Sequence, residues 1–402
     1  MIELKGKYGK ATIFAFYVKE EVISSVIQYL NHPASKGAKI AVMPDCHAGK
    51  GCVVGFTATL TDYVIPNIVG VDIGCGVYSV CMGKEIPPLD EIDGYIREEI
   101  PAGQKVREHF GHLQAVSEDL IEKIRKVAKR TEQDEEYALL SLGTLGGGNH
   151  FIEIGIDDKG YYWLTVHTGS RNFGLKVARY YQKIAENTCR KEFLSQRIEE
   201  LKEKYSGREL EQKIEELKSE SKFPKTLSFL TGETAKNYLA DMQVAQEFAR
   251  RNRLLITANS ILVYFNITPK AEIESVHNYI DFEDGIIRKG AIRAHKGEWI
   301  VIPMNMAYGI VIGRGKGNPE WNYSAPHGAG RKLSRKKAKE EFSVEEFKRV
   351  VEEAGVYSST VGKATLDEAP MAYKDPDEVL SLTAQTVQIE RIIKPVYNFK
   401  GA

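Results

Sequence analysis

Again and again this chain places a ligand-type side chain in a turn rich in glycine or asparagine. Asp72-Ile73-Gly74-Cys75-Gly76 follows the mainly apolar run from Ile65 to Val71, and His150, His167, His277 and His327 each sit in a comparable bend. A carboxylate and a thiolate three residues apart can chelate one ion or bridge two, and neutral imidazoles from other turns can complete the shell. Such a chain must fold so that turns far apart in sequence converge. Judged singly, each histidine reads first as a satisfied structural residue. Four of the nine in the same setting, beside Asp72 and Cys75, tip the reading toward a metal-centred site. Asp45-Cys46-His47 is intermediate and could join the same pocket, whereas His32, His109, His112 and His295 read as structural or surface residues.

The turns need rigid supports. Lys39 to Met43, Cys52 to Leu60 and Tyr161 to Val166 are β-compatible, and helical spacing appears at Leu89 to Ile96, Ala115 to Ala128 and Ala235 to Asn252. The expected fold class is α+β, with central β-sheets flanked by helices, and two fused subdomains or one elaborated unit spanning 1–402 both fit. Residues 177–222 keep a helical period amid Glu and Lys with Gly207 as a break, which predicts a charged helical hairpin inserted as an excursion. Its bland reading, a solvated helix pair that merely packs, is the stronger one.

Composition sets limits. At 402 residues and 43% hydrophobic the chain can bury a large core, and 55 basic against 55 acidic residues leave no global attraction for a polyanion. Any nucleic-acid surface must be local. The stretch Lys289 to Lys339 is basic enough to be one, though it reads equally as a solvated face. Five cysteines without a disulfide-like framework, no signal-peptide pattern and no apolar run near roughly 20 residues point to a cytoplasmic protein without a membrane span.

Two turns carry the sharpest chemistry. Gly146-Gly147-Gly148-Asn149-His150-Phe151-Ile152-Glu153 lets backbone approach a ligand closely. Ser324-Ala325-Pro326-His327-Gly328-Ala329-Gly330-Arg331 sets an imidazole beside Arg331 and Arg335. That histidine could attack phosphorus, and it could equally be a fifth ligand or a general acid. Neither a Gly-x-x-x-x-Gly-Lys-Ser/Thr loop nor the Lys-x-Asp-Gly motif of lysine-dependent ligases is present, so nucleotide chemistry would need another nucleophile, for which His327 is the best candidate.

These residues, with Met43 to Gly51, Gly70 to Gly76, His167 to Arg171, His277-Asn278, Arg314 to Glu320, Ala369 to Lys374 and Lys400-Gly401, occur in an order that resembles the RtcB family of RNA 3′-phosphate (or 2′,3′-cyclic phosphate) to 5′-hydroxyl ligases. The resemblance covers nearly the whole chain. It implies two Mn²⁺ ions bridged by Cys75, with Asp72 and His277 in one shell and His150 and His167 in the other. It implies that His327 attacks GTP to form a histidine-linked GMP, which then activates an RNA 3′-phosphate in tRNA splicing or RNA repair. For the nucleotide it points to Asn149, Glu153, Asn278, Gly328, Ala329, Gly330, Tyr373 and Lys400, and for RNA phosphates to Arg171, Arg331 and Arg335.

One stretch departs from the pattern. Where the family has Pro-Gly-Ser/Thr-Met, this chain has Pro303-Met304-Asn305-Met306. Pro303, Asn305 and Met306 are still expected at the nucleotide, but two other readings follow: a metal-dependent RNA cyclic-phosphate hydrolase with a weakened guanylate pocket, or a non-catalytic RNA-binding module. No activating protein partner is legible in the sequence.

Overall fold

A seven-stranded antiparallel sheet organises the molecule, in the order Trp299–Asn305, Gly309–Gly315, Val387–Lys400, Phe151–Ile156, Tyr162–Thr168, Gly76–Gly83, Ala271–Val276. The computed structural model describes residues 1–221 and 223–401. The sheet curls until its two edges meet, where the Val301 N–H donates to Ser275 Oγ at 2.9 Å. Side chains alternate across a pleat, so each strand gives one row to the inside of the curl and one to the outside. The inside row draws on all seven strands: Val77, Cys81, Phe151, Trp163, Ile273, Val301, Ile310, Ile312 and Ile393. The outside row, including Tyr78, Val80, Ile152, Ile154, Leu164 and Val166, packs against Ile92 and Ile96 of the helix Leu89–Glu99.

The strand register makes the interior of the curl change character toward one end. Cys81 faces Trp163; one row along, Ser79 faces Thr165, Thr165 faces Glu153 and Glu153 faces Asn398; at the last row stand Val77, His167, Phe151 and Lys400. An apolar plug therefore gives way to a polar belt and then to an open mouth.

A six-stranded sheet lies beside it, ordered Ile2–Lys5, Lys10–Ile13, Ile40–His47, Val54–Thr59, Ile286–Lys289, Asn278–Asp281, antiparallel except between the second and third. Its apolar face, with Ile13, Val42, Phe56 and Ile280, shares the largest core with Val26, Ile124, Tyr181, Tyr238 and Phe248 of the helices. A short pair, Ala291–Arg293 with Ser324–Pro326, brings the His327 turn alongside. The α+β class expected from sequence is the class observed. No helix among the described residues is long and apolar enough to cross a membrane.

The expected excursion starts deep in the core. Arg171–Lys202 is one helix that buries Phe173, Val177, Tyr181, Ala185, Cys189 and Phe193 along about its first six turns. Beyond Phe193 no described residue is buried until Ser221, and Gly207, at φ +58, opens the second helix Gly207–Glu220. The outer part alone is a solvated pair; the predicted end, Lys222, lies outside the described residues.

The helix Gly232–Ile256 passes under the mouth and supplies two consecutive buried polar residues. Asn252 accepts from the Thr144 N–H at 3.0 Å and donates to the carbonyls of Thr144 and Gly169. Arg253, fully buried, donates to the carbonyls of Gly74 and Thr168 at 2.8 and 2.9 Å and pairs with Glu274 at 2.8 Å. Replacing Arg253 by Met would leave two buried carbonyls without donors, so denaturant titration of Arg253→Met should read a stability loss on the order of 3 kcal/mol.

Candidate active site

The register that shapes the curl also gathers the ligand-type residues. Gly76 pairs with both Thr168 and Val276, and Phe151 pairs with both His167 and Lys400. Cys75, His277 and His150, each one residue outside those strand ends, therefore meet His167 at one mouth. A cavity of about 780 Å³ opens there, lined by Asp72, Cys75, His167, His277, His327 and Tyr373 among others.

Two triads share the Cys75 thiol: Asp72, Cys75 and His150, and Cys75, His167 and His277, the ligand atoms of each lying within 4.8 Å of one another. Cys75 Sγ is 3.5 Å from His150 Nε2 and 3.2 Å from His167 Nε2. His150 Nε2 is 3.0 Å from Asp72 Oδ2, and His167 Nε2 is 3.3 Å from His277 Nε2. The ligand atoms group differently from the two shells that the resemblance implies. Asp72 lies with His150, reaching across the bare backbone of Gly169, where a Cβ would strike its carboxylate, and His167 lies with His277, at the ends of the two strands that flank Gly76–Gly83.

The imidazoles are presented in one way. His150 Nδ1 donates to the Leu145 carbonyl at 2.9 Å and His167 Nδ1 to the Asn149 carbonyl at 3.1 Å, so both turn Nε2 inward. Burial holds His167 and His277 far below the usual imidazole range and, with Asp72 beside it, pushes the Cys75 thiol up. Neutral imidazoles with free lone pairs, and a thiol that a cation would convert to thiolate, are a donor set that fits divalent metal. His277 Nδ1 is buried with no partner of its own.

His327 stands apart from both triads, its ring 4.8 Å from that of His277. Asp45, fully buried, accepts from His327 Nδ1 at 2.6 Å and from the His327 N–H at 3.2 Å. Gly330, at φ +71, is needed for this approach, since a Cβ would drive into the Asp45 carbonyl. With Nδ1 engaged, Nε2 is the atom left for chemistry. Sequence reasoning left Asp45 inside an undecided triplet, and nothing in the order of residues pairs it with a position 282 residues away. His47 lines the cavity and bonds the Asp45 carbonyl at 3.0 Å, with burial pushing it down to about 4.

The residues expected at the nucleotide converge on the same cavity: Asn149, Glu153, Asn278, Pro303, Asn305, Met306, Gly328, Ala329, Gly330, Tyr373 and Lys400 all line it. Glu153 takes a 2.7 Å bond from Asn398 Nδ2, leaves Oε1 unpartnered, and is pushed by burial up to about 8. Lys400 lies over the Phe151 ring at 5.1 Å, and burial lowers it. Met304 is buried with Ile302 and Val311, and Asn305 Oδ1 is spent on the N–H groups of Ala307 and Tyr308 at 3.0 and 2.9 Å. A buried carboxylate that sequence reasoning missed, Glu368, accepts from the Tyr373 hydroxyl, Arg331 and Arg335 and lies 3.9 Å from Lys400 Nζ.

The three arginines expected at RNA phosphates are differently placed. Arg171 does not line the cavity; its guanidinium turns inward to the Gly103 carbonyl at 2.7 Å and Thr144 Oγ1 at 2.9 Å, bracing the glycine loop. Arg331 reaches the cavity wall but binds the Asp367 carbonyl at 2.5 Å and Glu368 at 3.3 Å. Arg335 is the most open of the three, though it too binds Asp367 at 2.7 Å.

These features define a class: an α+β protein with two ligand triads that share one cysteine sulfur and a separate, carboxylate-held imidazole in one cavity. The family model described as tRNA-splicing ligase RtcB matches residues 28–401. The chain is 31% identical to the RNA-splicing ligase RtcB of Escherichia coli, with 90% of each chain covered. It is 29% identical to the tRNA-splicing ligase RtcB of Nanoarchaeum equitans, over 90% of this chain and 88% of that one. The chain belongs to the RtcB family.

Glu153 yields a pH test. Its folded value, about 8, lies above that of an exposed carboxyl, so the unfolded chain loses the proton first and stability falls between about pH 5 and pH 8, by at most roughly 1.4 kcal/mol per unit. Chemical denaturation of Glu153→Gln against the parent should show this component of the slope removed, with the gap widening toward pH 8.

Proposed function

We propose that the chain is a GTP- and Mn²⁺-dependent RNA ligase that joins 3′-phosphate or 2′,3′-cyclic-phosphate ends to 5′-hydroxyl ends, in tRNA splicing or RNA repair. The observation that carries this reading is the Asp45–His327 pair at 2.6 Å, which leaves Nε2 facing a cavity shared with both ligand triads. The names of its relatives, RNA-splicing and tRNA-splicing ligases, support it.

His327 Nε2 attacks the α-phosphorus of GTP; the N–P bond forms as the bond to pyrophosphate breaks. Asp45 holds the Nδ1 proton and offsets the positive charge on the phosphorylated ring. An oxygen of the RNA 3′-phosphate then takes the guanylyl group, breaking the N–P bond and returning the imidazole. Attack by the 5′-hydroxyl on the activated RNA phosphate expels GMP, and the hydroxyl proton is released. A cyclic phosphate is first opened by water. Asp72, Cys75, His150, His167 and His277 would hold two Mn²⁺ ions, which when bound polarise phosphoryl oxygens and make water or hydroxyl a better nucleophile. Glu153 and Lys400, which line the cavity, would read the base edge, and Tyr373 would stack on its face.

One observation favours a second reading. Asn305 spends its side-chain oxygen on its own turn and Met304 is buried, so neither replaces the hydroxyl they displace. A guanylate pocket weakened there would leave a metal-dependent cyclic-phosphate hydrolase.

Incubation with GTP radiolabelled at the α-phosphate and Mn²⁺, followed by denaturing electrophoresis, separates the two. The parent protein should retain label, His327→Ala should retain none, and Asp45→Asn should label more slowly by on the order of 100-fold. Absence of label on the parent under every divalent metal, with cyclic-phosphate opening that survives in His327→Ala, would select the hydrolase.

A further inference from the structure

Between the strand Lys10–Ile13 and the helix Glu20–Leu30 the chain crosses the rim of the cavity, and there it exposes two consecutive aromatic rings. Phe16 is 68% exposed and Tyr17 77%, and Tyr17 lines the cavity itself. Exposed aromatics this large, side by side, are costly to leave in water without a use. Nothing in the reaction scheme above employs them.

The backbone that carries them is fixed on both sides. Before them, Phe14 is stacked on Trp321 with ring centroids 4.1 Å apart, and its N–H donates to the Val42 carbonyl at 2.9 Å. After them, Val18 is buried and Lys19 Nζ donates to the Lys332 carbonyl at 2.8 Å. The rings thus stand on a ledge held at both ends, so a ligand stacking there need order only the side chains. Along the same rim the exposed cations Lys19, Lys50, Lys332 and Arg335 outnumber the exposed carboxylates Glu21 and Glu378. Aromatic faces beside a positively charged wall are the means by which proteins hold single-stranded nucleic acid without reading its sequence.

We propose that Phe16 and Tyr17 form a stacking ledge for unpaired bases of an RNA strand whose end lies in the cavity. The ledge rests on the reading of the cavity as an RNA-end site, and it assigns to this rim the task of holding the strand beside the reacting terminus. Lys19 and Lys332 lie close enough to the ledge to meet the phosphates of the same strand. Because every base has a face to stack, the ledge favours unpaired ends over blunt duplex ends and is indifferent to sequence.

The test uses the full chain and a fluorescent single-stranded RNA of about 12 nucleotides with a 5′-hydroxyl end, titrated by anisotropy. Phe16→Ala/Tyr17→Ala should raise Kd roughly 5- to 100-fold, leaving the salt dependence of binding unchanged because no phosphate contact is lost. Phe16→Trp/Tyr17→Trp should restore the affinity, and an abasic strand of the same length should bind parent and Ala variant alike. Thermal melting of each variant checks that it is folded, as expected from the exposure of both side chains. Unchanged Kd in the folded Ala variant overturns the ledge, as does an equal loss for the abasic strand, which would mark a backbone contact or a protein-docking surface instead. The guanylylation assay is independent: a parent protein that takes no label yet binds RNA through the ledge would refute the ligase reading alone.

Discussion

Everything at the mouth of the curled sheet hangs on two side chains of one helix. Asn252 and Arg253 are adjacent, buried and polar, and between them they hold the glycine loop at Thr144, the turn after His167 and the turn before Cys75. Three loops from separate parts of the chain are thereby fixed against one rigid rod. The guanidinium also works at a distance: its charge draws the Cys75 thiol toward thiolate and holds the His277 imidazole toward its neutral form, against and with burial respectively. Both effects prepare a donor set for a cation. The charge is itself anchored by Glu274, on the strand that leads to His277.

The polar belt inside the curl explains why the site can be both dry and wet. Trp163 and its apolar neighbours close one end, so water reaches the interior from the mouth. Ser79 and Thr165 satisfy each other at 2.8 Å, but Glu153 keeps a buried oxygen unpartnered, as does Asn398. Unmet acceptors of this kind are costly in a folded protein unless a ligand completes them. They face the cavity on the row next to His167 and Lys400, where an amide- or amine-bearing edge would find them.

Legibility divided along physical lines. Local signals carried well: the turn residues Asp72, Cys75, His150, His167 and His277 were recognisable because glycine- and asparagine-bearing bends advertise themselves, and they do converge. Helices with clear period were found within a few residues; Ala115 to Ala128 became Glu118–Arg130, started by the Ser117 cap. What stayed hidden was pairing across distance. Asp45 with His327, Glu368 with Arg335 and Lys400, and Arg253 with Gly74 join residues that no local pattern relates. The intramolecular partners of the arginines were hidden for the same reason: Arg171 bonds the Gly103 carbonyl, and Arg331 the Asp367 carbonyl and Glu368. The helix predicted to project begins as core because Phe173, Val177 and Tyr181 fall on one face that packs against Tyr238 and Phe248 of the helix Gly232–Ile256, which periodicity alone could not place.

The position of Val387–Lys400 in the seven-stranded sheet has a consequence for the birth of the molecule. That strand lies between Gly309–Gly315 and Phe151–Ile156, so it follows the other six in sequence yet stands inside the sheet in space. While the ribosome is still extending the chain, both of those neighbours must wait with open edges, and an unpaired edge is a template for the wrong partner. Closure of the curl, the polar belt and the seat of Lys400 therefore arrive together, once this strand has been made. A nascent chain can collect its metal-ligand turns early, but the cavity has no complete wall until its last strand slides into the gap.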